Sequence, residues 1–154
     1  MSDAIDKTGN LSEAMEHAKQ LLDRDLEQAA SQLEEILMVV PDHAPAHFLQ
    51  AVVLGRQQQG ERAIRILEKV VALDSNHPEA WRLLADHRYA INDKAASESA
   101  YLRHLQCSTG NPNLQQAAAA MIANELPTAE RILKSHLKKA STDVAAIRML
   151  AEVA

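Results

Sequence analysis

One cysteine, four glycines, five prolines and four aromatic side chains are all that 154 residues hold of these types. A lone Cys107 excludes an intrachain disulfide framework and a cysteine-built zinc site, and it fits a reducing compartment. So few Gly and Pro leave little room for a turn-rich β architecture. No apolar run approaches the ~20 residues that cross a bilayer, so no membrane partner is expected. The start, MSDAIDKTGN, lacks the basic-then-apolar order of a secretory leader; a cytoplasmic protein is the expectation. A concentrated Lys/Arg field is also missing, and the net charge is −5, which argues against nucleic acid as a partner.

What is present is alanine and leucine in a rhythm. The apolar fraction is 47%, enough for a packed core, and with 3% aromatics that core must be built from Ala and Leu. Four segments share one template, an Ala or Ser followed four residues later by Leu or Tyr: Ala29/Leu33, Ala63/Leu67, Ser97/Tyr101 and Ala129/Leu133. The steps between them are 34, 34 and 32 residues. A beat of that length marks stacked two-helix units, none of which can bury its apolar face alone. The expected fold is all-α, a right-handed solenoid of antiparallel helix pairs with about nine helices.

Breaks in the pattern place the elements. Residues 1–10 are polar and aperiodic, and read as a flexible tail. Ser12 is a candidate N-cap for a helix to about Asp23, and a second runs to Val40 before Pro41-Asp42. A helix over 44–58, a turn at Gly60 and a helix over 61–73 follow. The breaks Asp74–Pro78 and Ser108–Pro112 delimit a third pair, and Asn124–Pro127 splits a fourth. Thr142-Asp143 opens a last helix. The repeat domain is thus expected over 11–154, with units 11–43, 44–77, 78–109 and 110–141 and a half unit 142–154. Ile147, Leu150 and Ala151 form a stripe that a further unit would cover, so the chain reads as a piece of a longer array.

Candidate chemistry is thin. Of seven histidines, His43 and His47 are four apart, with Pro45 between them, and no cluster of three or four ligands at zinc spacing can be read. His104 and His136 each follow the template Ser97 or Ala129 by seven residues and read as half-buried structural side chains. Cys107 has His104 one turn before it, without a glycine turn to stabilise an oxyanion. Glu13/Glu16, Glu34/Glu35 and Glu68 read as solvated helix faces. No catalytic residue, cofactor or metal is expected.

Trp81-x2-Leu84-Ala85 together with Ser97-x3-Tyr101 resembles the tetratricopeptide repeat signature. Phe48 and Ala51 with Ala63, Leu67 and Val70 give a weaker copy before it, and Ala129/Leu133 another after it. Arg88 departs from the pattern, standing where a Tyr is usual. The segments 77–109 and 142–154 further resemble the helical region that precedes the catalytic domain in bacterial tetratricopeptide-repeat sulfotransferases; this chain has no strand leading into a phosphate loop. The resemblance implies a non-catalytic scaffold that binds a protein or peptide through the first helix of each pair. The side chains so implied are Phe48, Val52 and Arg56, then Glu79, Arg82, Asp86 and Tyr89, then Leu114, Ala118 and Met121. Arg56 and Arg82 among apolar surface suit a peptide with acidic residues. Phe48 and Val52 replace the Lys and Asn of repeats that clamp chaperone carboxyl termini, so no such clamp is expected. The alternative function is a regulatory or substrate-docking region of a sulfotransferase. A homo-oligomer through the terminal helices is a further expectation.

Overall fold

The structure, a computed structural model, describes residues 3–154, with side chains from Asn10 onward. Among the described residues there are nine α-helices and no strand: Asp3–Leu21 (α1), Leu26–Val39 (α2), Ala44–Arg56 (α3), Gly60–Leu73 (α4), Pro78–Ala90 (α5), Lys94–Ser108 (α6), Pro112–Ile122 (α7), Leu126–Lys139 (α8) and Val144–Val153 (α9). The chain divides into two compact units, Met1–Ser75 and Asn76–Ala154. The division falls inside the Asp74–Pro78 break. In the first unit α1 packs on α2, α2 on α3 and α3 on α4. In the second, each helix from α5 to α9 packs on the next, and α7 also meets α9.

The template residues lie at the centre of this packing. Ala29, Leu33, Ala63, Leu67, Ala129 and Leu133 are all 0% exposed. Alanine lets two helix axes approach, and the leucine one turn on fills the space between them. Each buried leucine contributes about 2–3 kcal/mol. The third copy is built differently. Ser97 donates its hydroxyl to the Ala85 carbonyl (2.8 Å), which satisfies a polar side chain at the close α5–α6 crossing. Half-buried Tyr101 carries the Arg148 guanidinium 4.4 Å above its ring, linking α6 to α9.

The first helix of each later pair starts by one device. His43, His77, Asn111 and Asp143 are the N-caps of α3, α5, α7 and α9, at the same steps of 34, 34 and 32. Their side chains accept from the second or third backbone N–H of the helix: His43 Nδ1 from Ala46 (3.2 Å), His77 Nδ1 from Ala80 (3.1 Å), Asn111 from Asn113 (2.9 Å), Asp143 from Ala146 (3.2 Å). These bonds satisfy donors that a helix start leaves unpaired.

The turns inside pairs share a second device. Gln58, Asn92 and Asn124 have positive φ of 60°, 64° and 60°. Around them Gln59 N–H reaches Leu54 O, Asp93 N–H reaches Arg88 O and Glu125 N–H reaches Ala120 O, each 2.8–3.0 Å. This six-to-one closure with a left-handed residue is the Schellman ending of a helix. The turn expected at Gly60 is therefore corrected: it centres on Gln58, and Gly60 is the first residue of α4. The start expected at Ser12 is corrected as well. α1 is helical from Asp3, and nothing near Ser12 breaks the helical ladder. Met1 and Ser2, at the head of the tail expected over 1–10, lie outside the described residues.

Candidate partner-binding surface

The side chains expected to meet a partner fall into three groups. The first is exposed and continuous. Along α5, Glu79, Arg82, Asp86 and Tyr89 are spaced to share one face and all four are exposed. Arg82 donates through Nη2 to Glu79 Oε2 (2.9 Å) and through Nη1 to Asp86 Oδ2 (3.5 Å). The Arg82 hydrogen bond, more than its charge, holds the Glu79 carboxyl below the ordinary carboxylate range. The same bond raises the guanidinium further. Tyr89 stands at the end of this ladder, 68% exposed. The stripe thus presents a fixed cation between two carboxylates, beside an open aromatic face.

The second group is half committed to the fold. Arg56, at the end of α3, donates to the Leu22 carbonyl (2.6 Å) and lies 3.3 Å from Asp23 Oδ1. It therefore covers a carbonyl in the turn that follows α1. Phe48 is partly buried against the core of the first unit, which includes Met15, Leu33 and Leu49. Val52 is half-buried. Met121 packs against the core of the second unit.

Leu114 forms the third group and is a correction. It is 5% exposed, in the core formed by α7, α8 and α9, so its apolar surface is spent on packing. Ala118, 0% exposed, is buried with it. The cap rhythm explains why. Leu114 occupies the place, three residues after the cap, that Ala46, Ala80 and Ala146 hold in the other pairs, each at 0% exposure. That register was present in the chain but hidden, because a histidine is rarely read as a helix cap.

Three histidines are tied into the fold by hydrogen bonds. His47, 6% exposed, donates from Nε2 to Pro41 O (2.7 Å). His104 donates from Nδ1 to Pro78 O (2.8 Å). His136, 7% exposed, donates from Nε2 to Asp143 Oδ2 (2.8 Å) and accepts at Nδ1 from Asn113 Nδ2 (3.5 Å). It thus joins α7 and α8 to the cap of α9. That hydrogen bond is the main cause of the lowered pKa of Asp143. Among the described residues no three His, Cys, Asp or Glu side chains converge on a metal-sized space. Elsewhere Glu98 on α6 is held above the usual carboxylate range, chiefly by a hydrogen bond with Glu152 on α9.

Residues 20–86 match the tetratricopeptide repeat. The tetratricopeptide match begins in α1 and ends in α5, taking in Phe48, Arg56 and Arg82 and stopping at Asp86. No curated protein matches the chain, so the likeness to sulfotransferase repeat regions rests on the residues that carry it. Among the described residues no helix is long and apolar enough to cross a membrane.

Proposed function

We propose that the chain is a non-catalytic interaction scaffold, working in the cytoplasm, that holds a protein or peptide partner on the exposed faces of its first helices. The α5 stripe of Glu79, Arg82, Asp86 and Tyr89 carries this reading. Tetratricopeptide repeats in general serve protein–protein interaction, and the stripe supplies the chemistry that recognition needs. An arginine held in place by two carboxylates loses less rotamer freedom on binding than a free one. A tyrosine offers large, stiff contact area with a polar tip. A peptide carboxylate can take over one of the Arg82 bonds while an apolar side chain covers Tyr89.

Arg82→Glu tests this. The Arg82 ion pairs are exposed and contribute little to stability, so the variant is expected to keep its helical circular dichroism. A partner captured by the wild-type chain is expected to be retained at least about tenfold less, the loss of one well-placed charged contact. Equal retention by a folded variant would remove the stripe as the binding surface.

A further inference from the structure

Charge is distributed unevenly along the chain. Met1–Ser75 contains seven Lys/Arg against thirteen Asp/Glu, whereas Asn76–Ala154 contains nine against eight. The contrast is sharpest between α2 and α8, which follow the same template through Ala29/Leu33 and Ala129/Leu133. α2 carries Glu27, Glu34 and Glu35 and no Lys or Arg; α8 carries Arg131, Lys134, Lys138 and Lys139 against Glu130 alone. Glu34 and Lys134 stand at the same template position, each one residue after the buried leucine.

The outer face of α2 has the features of a receptor. A shallow groove of about 360 Å³ is lined by Glu34, Leu37, Met38 and Gln50. Met38 is 76% exposed, and the side-chain oxygen of Gln50 is buried without a hydrogen-bond partner. A carboxylate beside two apolar side chains suits a long cationic side chain. Its stem would lie on Leu37 and Met38 while its head meets Glu34. The outer face of α8 supplies such side chains: Arg131, Lys134 and Lys138 stand exposed along it, with Glu130 beside them in an ion pair with Lys134. Spacing agrees too. Glu27 and Glu34 are two helical turns apart, about 10.5 Å, and so are Arg131 and Lys138.

We propose that the chain associates head to tail, the acidic outer face of α2 in one copy receiving the basic outer face of α8 in a second copy. The contact joins two different surfaces, so it is heterologous, and each added copy leaves a free face of each kind. It involves neither the α5 stripe nor the terminal helices, and Arg82→Glu is expected to leave it intact.

Sedimentation velocity of the full chain at about 100 μM is the test, compared between about 0.01 M and 1 M salt, where the screening length falls from about 30 Å to about 3 Å. The wild-type chain is expected to form dimers and larger species at low salt and monomers at high salt. Two exposed-face double variants separate the surfaces: Glu27→Gln with Glu34→Gln, and Arg131→Gln with Lys138→Gln. Each alone is expected to weaken association at least about tenfold. Mixed in equal amounts, they should recover wild-type affinity but stop at a one-to-one dimer, since each contributes one intact face. A wild-type monomer at low salt overturns the proposal. So does self-association that neither double variant weakens, or a mixture that fails to pair while both variants keep wild-type circular dichroism.

Discussion

His43 and His77 hold a place that Asp, Asn, Ser or Thr usually takes. A neutral imidazole can accept at Nδ1, but a protonated one has no acceptor there. Burial, with neighbouring His47 second, pushes the His43 imidazole below its ordinary 6.5. The unfolded chain then binds more protons than the folded chain as pH drops below 6.5, so stability falls with pH in that window. Burial lowers His87 as well, only partly offset by Asp86, and contributes with the same sign. Asp143 acts in a lower window. Its carboxyl is depressed below 3.8, so its contribution is full above that value and is lost as pH falls through the depressed pKa. His43→Asn keeps an acceptor at the cap and removes the proton. In urea unfolding followed between about pH 7.5 and 5, the variant is expected to lose less stability on acidification than the wild-type chain, by up to about 1 kcal/mol. An unchanged pH slope would show that the His43 cap does not titrate.

The helices were readable because their signals are local. Alanine and leucine four apart, prolines at helix starts and Asx residues in the gaps name most boundaries without reference to the rest of the chain. Three things escape a reading by residue preference: the left-handed residue of each turn, the histidine caps, and with them the register that buries Leu114. Gly60 drew the α3–α4 turn toward itself because glycine is the usual left-handed residue, yet Gln58 takes that conformation. A side chain there costs roughly 1–2 kcal/mol. Gln58→Gly is therefore expected to stabilise the chain by about 1 kcal/mol once the entropy of glycine in the unfolded state is subtracted. Urea unfolding reads it directly. The same change at Asn92 should give less, since asparagine tolerates the left-handed region. A lower midpoint for Gln58→Gly would contradict the turn geometry.

For the molecule as a whole, one repeat length organises three kinds of feature: crossings at Ala29, Ala63, Ser97 and Ala129, caps at His43, His77, Asn111 and Asp143, and left-handed turn residues at Gln58, Asn92 and Asn124. The class of the fold follows from that regularity and was legible in the chain. The proposed binding surface was legible only in part. First helices place residues at a repeating angle, and the distance from the cap decides which of them face solvent. On α5 the stripe from Glu79 to Tyr89 stays open, whereas Leu114 and Ala118 on α7 hold the places of Ala80 and Leu84, which are buried on α5 as well. The two outer faces of opposite charge escaped a sequence reading for a related reason: a run of glutamates looks like a solvated surface until the groove beside it is seen. The recognition stripe is proposed to lie on α5. Site-specific photo-crosslinking reads this most directly, with a benzophenone amino acid placed in turn at Arg82, Asp86 and Tyr89 and, as a comparison, at exposed Ala95 and Ser99 on α6. The same partner adduct is expected from the three α5 positions and none from the two on α6. Adducts of equal yield on both helices, or on α6 alone, would contradict the claim.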